Sequence, residues 1–395
     1  MSTKPASDAL IALVVTLGIQ AFTSFVATAT AVLAPEIGPA IGVNPRWIGV
    51  FVGMIYFGAM FASLASGSFV ERYGPIRVSQ VCVLLCACGL ALVAGPAWAL
   101  PIAPLLIGLG YGAITPASSQ LLARTTPPQR MALTFSIKQT GVPLGAALSG
   151  LALPVLILAH GWRETLLAVA LCGPLIALGA QPTRAALDTG RRRDHRASLA
   201  GLFAPLKLAV RNPKLVQLMV AGFTYAAMQI CLMSFLVVYL TETLGRTLIA
   251  AGIALTIANV GGIVGRIGWG FVADRWLPPR RLLGTLGLVA GSCALVTAGF
   301  GPGWPTLAVL AVCALFGATA IGWNGVQLAE IARNSPPGQA GAITGASGFV
   351  TFFGVVIGPP LFALLVTLTG SYAAGFAAIG SASLCCGVWL LRQRS

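Results

Sequence analysis

Long apolar segments recur along the whole chain and are separated by short polar or proline-containing stretches. Most of them reach the ~20 residues that a helix needs to cross a bilayer. Continuous apolar runs favour helices over the alternating ten-residue pattern of an outer-membrane barrel. The pattern therefore predicts an all-α polytopic membrane protein with twelve transmembrane helices. We place the spans at about 9–33, 47–69, 78–97, 100–123, 132–159, 164–180, 215–241, 247–273, 281–300, 304–331, 340–368 and 371–391.

The spans fall into two halves that repeat each other. GSFVERYGPIRV (67–78) follows the second span, and GFVADRWLPPRRL (270–282) follows the eighth at an offset of 203. ARTTPP (123–128) and ARNSPP (332–337) end the fourth and tenth spans. Repeats in matching places indicate two pseudo-symmetric six-helix bundles with a substrate path between them. We predict an N-terminal bundle at 1–182, a cytoplasmic linker at 183–213 and a C-terminal bundle at 214–395.

Composition excludes a soluble protein, and the placement of charge gives an orientation. Only 8% of the residues are charged, against about 25% in soluble domains. Of 24 Lys and Arg residues, nineteen fall on one side of the predicted membrane, while Arg46, Arg163 and Arg246 fall on the other. The positive-inside rule then predicts both termini on the cytoplasmic side of the cell (inner) membrane. This distribution explains the net charge of +15 without a nucleic-acid partner. The linker run RRRDHR is expected to be solvated near lipid headgroups.

The six-plus-six arrangement, the long central loop and a Gly-x-x-x-Asp/Glu-Arg loop after the second and eighth spans resemble the major facilitator superfamily. The resemblance implies that this loop is a conformational latch on the cytoplasmic side. An alternative is that its charges are solvated helix ends that follow the positive-inside rule. The predicted latch residues are Glu71, Arg72, Asp274 and Arg275, with Arg124, Glu330 and Arg333 as partners.

The eighth span carries a second, narrower resemblance. Arg266 lies eight residues before Asp274 and is followed by small residues, which resembles the monocarboxylate transporter and oxalate/formate antiporter group. The resemblance implies that Arg266 contacts a substrate carboxylate. Animal monocarboxylate transporters place an acidic residue one turn earlier for proton coupling, whereas this chain has Gly262.

Two cations, Lys138 and Arg266, lie inside predicted spans. Each is about seven residues from a cytoplasmic span end, which is ~10 Å along a helix. The resemblance implies that the fifth and eighth spans meet between the bundles, so we expect both cations to face one cavity. All nine acidic residues lie at span ends or in loops, so an anion is the natural counter-charge. Alternatively, Lys138 snorkels to the membrane surface and Arg266 bonds backbone carbonyls at a glycine-broken turn.

Other polar residues within spans are candidates to complete the site, although such residues are more often interhelical hydrogen-bond partners. The predicted contacts are Tyr111, Tyr225, Asn259, Asn324 and Gln139.

These features predict a monomeric secondary transporter of a small organic anion, most simply a monocarboxylate, working by alternating access. Coupling to protons (symport) or to a counter-anion (antiport) both stay open. The alternative is a multidrug or metabolite exporter of the same superfamily. We expect no cofactor and no metal, and the absence of a nucleophile elbow, metal motif or phosphate loop argues against an enzyme.

Overall fold

The computed structural model describes residues 4–40, 48–189, 191 and 201–392. Some basic positions that give the predicted orientation lie outside these residues: Arg46, Arg192, Arg193, Arg196 and Arg394.

The described chain is helical almost throughout. Prolines at the first turns of several helices fit this, because a first-turn N–H has no partner inside its helix. The helices are α1 (Lys4–Ala40), α2 (Ile48–Tyr73), α3 (Pro75–Val93), α4 (Ile102–Thr125), α5 (Met131–Gln139), α6 (Gly141–His160), α7 (Trp162–Ala180), α8 (Arg184–Leu187), α9 (Ala204–Ala209), α10 (Pro213–Glu242), α11 (Leu248–Arg275), α12 (Pro279–Ala298), α13 (Thr306–Ala320), α14 (Asn324–Asn334), α15 (Ala340–Thr369) and α16 (Tyr372–Arg392).

Twelve segments of the described chain are long and apolar enough to cross a membrane, which confirms the predicted all-α fold with twelve spans. Nine of these spans lie within one helix each, the sixth adds the short α8 after α7, and the fifth and tenth are made of two helices each. The fifth span, Pro128–His160, divides into α5 and α6 at Thr140, whose backbone angles stay helical at φ −64° and ψ −18°. The tenth span, Thr306–Asn334, is interrupted between α13 and α14 at residues 321–323. Two predicted site residues lie beside these positions: Lys138 is close to Thr140, and Asn324 directly follows residues 321–323.

The helices pack into two compact units. The first unit comprises Met1–Pro127, Lys138–Asn212 and Ile331–Phe349. Within it, α2 and α3 both pack along α4, and α1 packs along α6. Its core gathers small and branched residues from these helices, such as Ile55, Cys86 and Ile107.

The second unit comprises Pro128–Ile137, Pro213–Glu330 and Val350–Ser395. Its main helix pairs are α12 with α16 and α11 with α13. Each unit therefore contains the opening turns of a span from the other half of the sequence: α5 up to Ile137 joins the second unit, and the first turns of α15 join the first. The domain limits at 182, 183–213 and 214 stay a prediction.

Candidate functional site

The interruption of the tenth span is held by side chains of α11. Arg266 donates from Nε to the carbonyl oxygen of Ile321 at 3.1 Å. One turn further along α11, the indole Nε1 of Trp269 donates to the carbonyl oxygen of Ala318 at 2.7 Å. Carbonyls released at a helix break inside a bilayer need such partners, because water is not available there. The sequence of α11 thus explains why a broken helix is tolerated at this point.

Arg266 is almost fully buried, with 2% of its surface exposed. It lies on the face of α11 that meets α13 closely: a Cβ on Gly265 would come 2.2 Å from the carbonyl oxygen of Ala318. The alternative that Arg266 bonds a carbonyl at a broken turn therefore describes one of its contacts. A guanidinium carries five N–H donors, so this contact and anion binding are compatible.

Asn324 and Tyr225 lie at the same interruption, within the second unit. Asn324 donates from Nδ2 to the side-chain oxygen of Gln229 on α10 at 3.3 Å. The ring of Tyr225 meets the ring of Trp323 edge-on, with centroids 5.8 Å apart. The Tyr225 hydroxyl donates to the carbonyl oxygen of Leu283 at 3.0 Å, so its proton is used to fix this ring.

Lys138 lies in the first unit, two residues before Thr140, and is 1% exposed. Its Nζ donates to the amide oxygen of Gln20 on α1 at 2.6 Å and to that of Gln139 at 3.3 Å. The Thr115 hydroxyl on α4 also donates to the Gln20 oxygen, at 3.3 Å. Lys138 is therefore oriented by a polar group of α1 inside the unit, which is not the geometry of a snorkelling lysine.

Two further predicted site residues, Asn259 and Tyr111, contact other residues of the protein. Asn259 is partly buried and donates from Nδ2 to the carbonyl oxygen of Leu255 in its own helix, at 3.0 Å. Tyr111 is partly buried on α4 and meets Tyr56 edge-on, with ring centroids 6.3 Å apart. The structure thus groups Arg266, Asn324 and Tyr225 around the helix break of the tenth span and places Lys138 with Gln139 beside Thr140 in the fifth.

The loop after the eighth span is engaged with α5 inside the second unit. The Asp274 carboxylate accepts the backbone N–H of Ala132 at 3.1 Å and that of Leu133 at 2.8 Å, and so caps the first turn of α5. Gly270 permits the approach, because a Cβ there would lie 2.6 Å from the hydroxyl oxygen of Ser136.

The first repeat makes a related approach inside the first unit. A Cβ on Gly67 would lie 2.7 Å from the Cβ of Ala342 at the start of α15. Gln120 holds the same region, because its side-chain oxygen accepts the N–H of Gly341 at 2.7 Å. Glu71 is half-buried beside these contacts, in the wall of a cavity of ≈ 260 Å³ that Leu202 also lines.

The other predicted latch residues are spread over several helix ends. Arg275 lies over the Phe271 ring, 5.4 Å from its centroid. Arg124 donates from Nη2 to the carbonyl oxygen of Leu187. Three are half-buried: Arg72 in the last turn of α2, and Glu330 with Arg333 on α14. Their role as a latch stays a prediction.

Asp188 lies within the predicted linker and has a structural role. It is 4% exposed, and its carboxylate accepts the backbone N–H of Ile76 at 2.8 Å and that of Arg77 at 3.2 Å. Arg184 pairs with the same carboxylate at 3.2 Å. The chain after the sixth span is thereby attached to the first turn of α3. The local sequence around Asp188 does not predict its contact with α3.

Three comparisons place the chain among known proteins. The sequence profile of the Major Facilitator Superfamily matches residues 16–359. A hexuronate transporter of Bacillus subtilis is 22% identical over 386 residues, which cover 92% of this chain and 90% of that one. A gallate transporter of Pseudomonas putida is 27% identical and covers 66% of this chain and 64% of its own length.

The fold also matches solved structures. The E. coli fucose:proton symporter superposes with a TM-score of 0.77 at 16% identity, over 98% of this chain and 100% of that chain. At this identity the likeness concerns the fold alone.

Proposed function

Because the chain belongs to the major facilitator superfamily, a family of multi-pass membrane transporters, we propose that it carries a small organic anion, most simply a monocarboxylate, by alternating access. The observation that carries the proposal is the set of donors at the break of the tenth span. The Arg266 guanidinium and the Asn324 amide nitrogen both lie there, close to the Ile321 carbonyl. Guanidinium groups are matched to carboxylates because they offer a planar fork of N–H donors.

Two further observations support an anion. The relatives named above are transporters of gallate and of a hexuronate, and each of these compounds carries one carboxylate. Lys138 adds a second buried cation, which Gln20 orients close to Thr140 in the fifth span. The resemblance of the eighth span to the monocarboxylate transporter group points the same way. A buried guanidinium at the substrate site would repel the lipophilic cations typical of many drug exporters, which disfavours the alternative.

We also propose that both termini lie on the cytoplasmic side, as the distribution of basic residues predicts. The latch residues around Asp274 and Glu71 would then act at the cytoplasmic ends of the spans. Coupling to protons or to a counter-anion is decided by measuring transport with and without a proton gradient.

Uptake of labelled carboxylates into reconstituted vesicles tests the proposal, with gallate, glucuronate and benzoate as the first probes. Arg266→Gln and Lys138→Gln should each weaken the apparent affinity about ten- to a hundred-fold, because a hydrogen bond to a charged group contributes about 1.5–3 kcal/mol. Arg281→Gln makes the same change of charge at an exposed position and should leave uptake unaltered. Arg266→Lys keeps the charge but loses the fork, so we expect an intermediate loss.

Arg266 also supports the helix break, so the thermal stability of each purified variant is measured beside its transport. Wild-type kinetics for both Arg266→Gln and Lys138→Gln would refute an anion site at these residues. Export of lipophilic cations in place of carboxylate uptake would support the drug-exporter alternative.

A further inference from the structure

We propose that the indole N–H of Trp323 donates a hydrogen bond to an oxygen of the transported anion; this inference rests on the proposed function. Trp323 lies within the interruption of the tenth span and is 1% exposed. Within the part of the chain that the structure describes, its Nε1 is buried and has no hydrogen-bond partner.

A buried indole N–H without a partner is costly. The indole nitrogen only donates, and leaving a buried donor unsatisfied costs about 1–3 kcal/mol. Most buried polar groups in proteins are paired, and an exception calls for an explanation such as a bound ligand.

The polar groups around Trp323 differ from it, because they have hydrogen-bond partners. Three polar groups nearby already have partners: Trp269 bonds the carbonyl of Ala318, Asn324 bonds Gln229, and Tyr225 bonds the carbonyl of Leu283. The chain thus satisfies one indole at this break and leaves the other without an acceptor.

The Trp323 ring packs edge-on against Tyr225. The two rings meet edge-on at an interplanar angle of 74°, and edge-to-face pairs are a preferred aromatic geometry. Because the Tyr225 hydroxyl is anchored to α12, the Tyr225 ring cannot turn away without losing that bond. The Trp323 N–H is therefore a preorganised donor, which lowers the entropic cost of binding an acceptor.

The hydrogen-bond donors at the interruption of the tenth span indicate which class of ligand fits there. Arg266 and Trp323 carry only donors, which match the acceptor oxygens of an anion and do not match a cation. We assign the charge of the anion to Arg266 and one of its acceptor oxygens to Trp323. That oxygen belongs either to the carboxylate or to a hydroxyl on the same molecule, and two probes separate these cases.

Trp323→Phe tests the assignment, because it removes the N–H and keeps an aromatic ring against Tyr225. We expect KM for gallate to rise about five- to ten-fold with little change in maximal rate, as loss of one hydrogen bond of ~1–1.4 kcal/mol predicts. The thermal stability of the ligand-free protein should be unchanged or higher, because an unsatisfied donor is removed. If benzoate loses affinity equally, the contact is with the carboxylate; if only gallate does, it is with a hydroxyl.

Trp269→Phe is the matched control. It removes an indole N–H that already has a partner, so it should lower thermal stability by leaving the Ala318 carbonyl unsatisfied. If Trp323→Phe fails to fold, 3-benzothienylalanine at position 323 keeps the shape of the indole and replaces its N–H with sulfur; the same rise in KM is expected.

The outcomes separate the two proposals. A wild-type protein that transports carboxylates, together with a position-323 variant of unchanged KM, overturns the role of Trp323 and leaves the proposed function standing. A wild-type protein that takes up no carboxylate overturns the proposed function, and the assignment of Trp323 falls with it.

Discussion

Removing the Asp274 carboxylate should destabilise the contact between α11 and α5. The carboxylate accepts two backbone N–H groups, from Ala132 and Leu133 in the first turn of α5. Helix caps contribute about 0.5–2 kcal/mol, and hydrogen bonds to charged groups about 1.5–3 kcal/mol each. Because both N–H groups share one carboxylate, we take about 3 kcal/mol for Asp274→Ala. Asp274→Asn keeps one acceptor oxygen and should lose about half of that.

A thiol-reactive dye measures this loss in detergent. The exposed Cys88, Cys172 and Cys385 react before unfolding and set the baseline. Cys231, Cys293 and Cys313 of the second unit are buried, so the dye reacts with them as the unit unfolds. At about 2–4 °C per kcal/mol for a unit of this size, Asp274→Ala should lower Tm by roughly 6 °C or more. Glu164→Ala removes an exposed first-turn acid of α7 and should stay within about 0.5 kcal/mol of the wild type.

The reasoning is refuted if Asp274→Ala melts within ~1 °C of the wild type while Glu164→Ala does the same. The carboxylate would then be a solvated helix end, as the alternative in the sequence analysis holds. A loss of transport without a loss of Tm would point to a dynamic role in place of a stabilising one.

Two further changes test the packing. Asp188→Ala should lower the free energy of unfolding by about 2–3 kcal/mol, because it leaves two N–H groups at the start of α3 without an acceptor and Arg184 without this carboxylate. An unchanged melting curve would contradict the cap. Gly317→Ala should abolish folding or cost at least ~1–3 kcal/mol, because its Cβ would lie 1.8 Å from the carbonyl oxygen of Ala258. Gly268→Ala on α11 has open space around its Cβ and should be neutral or stabilising by the same dye assay.

The sequence predicts the spans well because apolar length alone decides them. It does not predict the interruption at 321–323, because Gly322 lies between Gly317 and Gly325 in the same span and nothing distinguishes it from them. The break is held by Arg266 and Trp269, some fifty residues earlier in the chain, and such pairings have no local signature.

The same reason limits the prediction of the site. Lys138 and Arg266 stand out as cations in apolar spans, and Asn324 as an amide in one. Gln20 is also a polar residue within a span, but its pairing with Lys138, 118 residues later, has no local signature. Trp323 is one of several polar side chains within the spans, and the sequence alone does not show that its nitrogen lacks an acceptor.

The attachment of Asp188 to α3 has a practical consequence for dissecting the protein. A gene split at residue 182 would produce an amino-terminal fragment that lacks Asp188. The N–H groups of Ile76 and Arg77 at the start of α3 would then lose their carboxylate acceptor. Moving the split beyond Thr189 keeps the carboxylate on the fragment that needs it. Co-expressed halves should therefore assemble better when the split lies beyond Thr189 than when it lies at residue 182, although residue 182 is the predicted end of the N-terminal bundle.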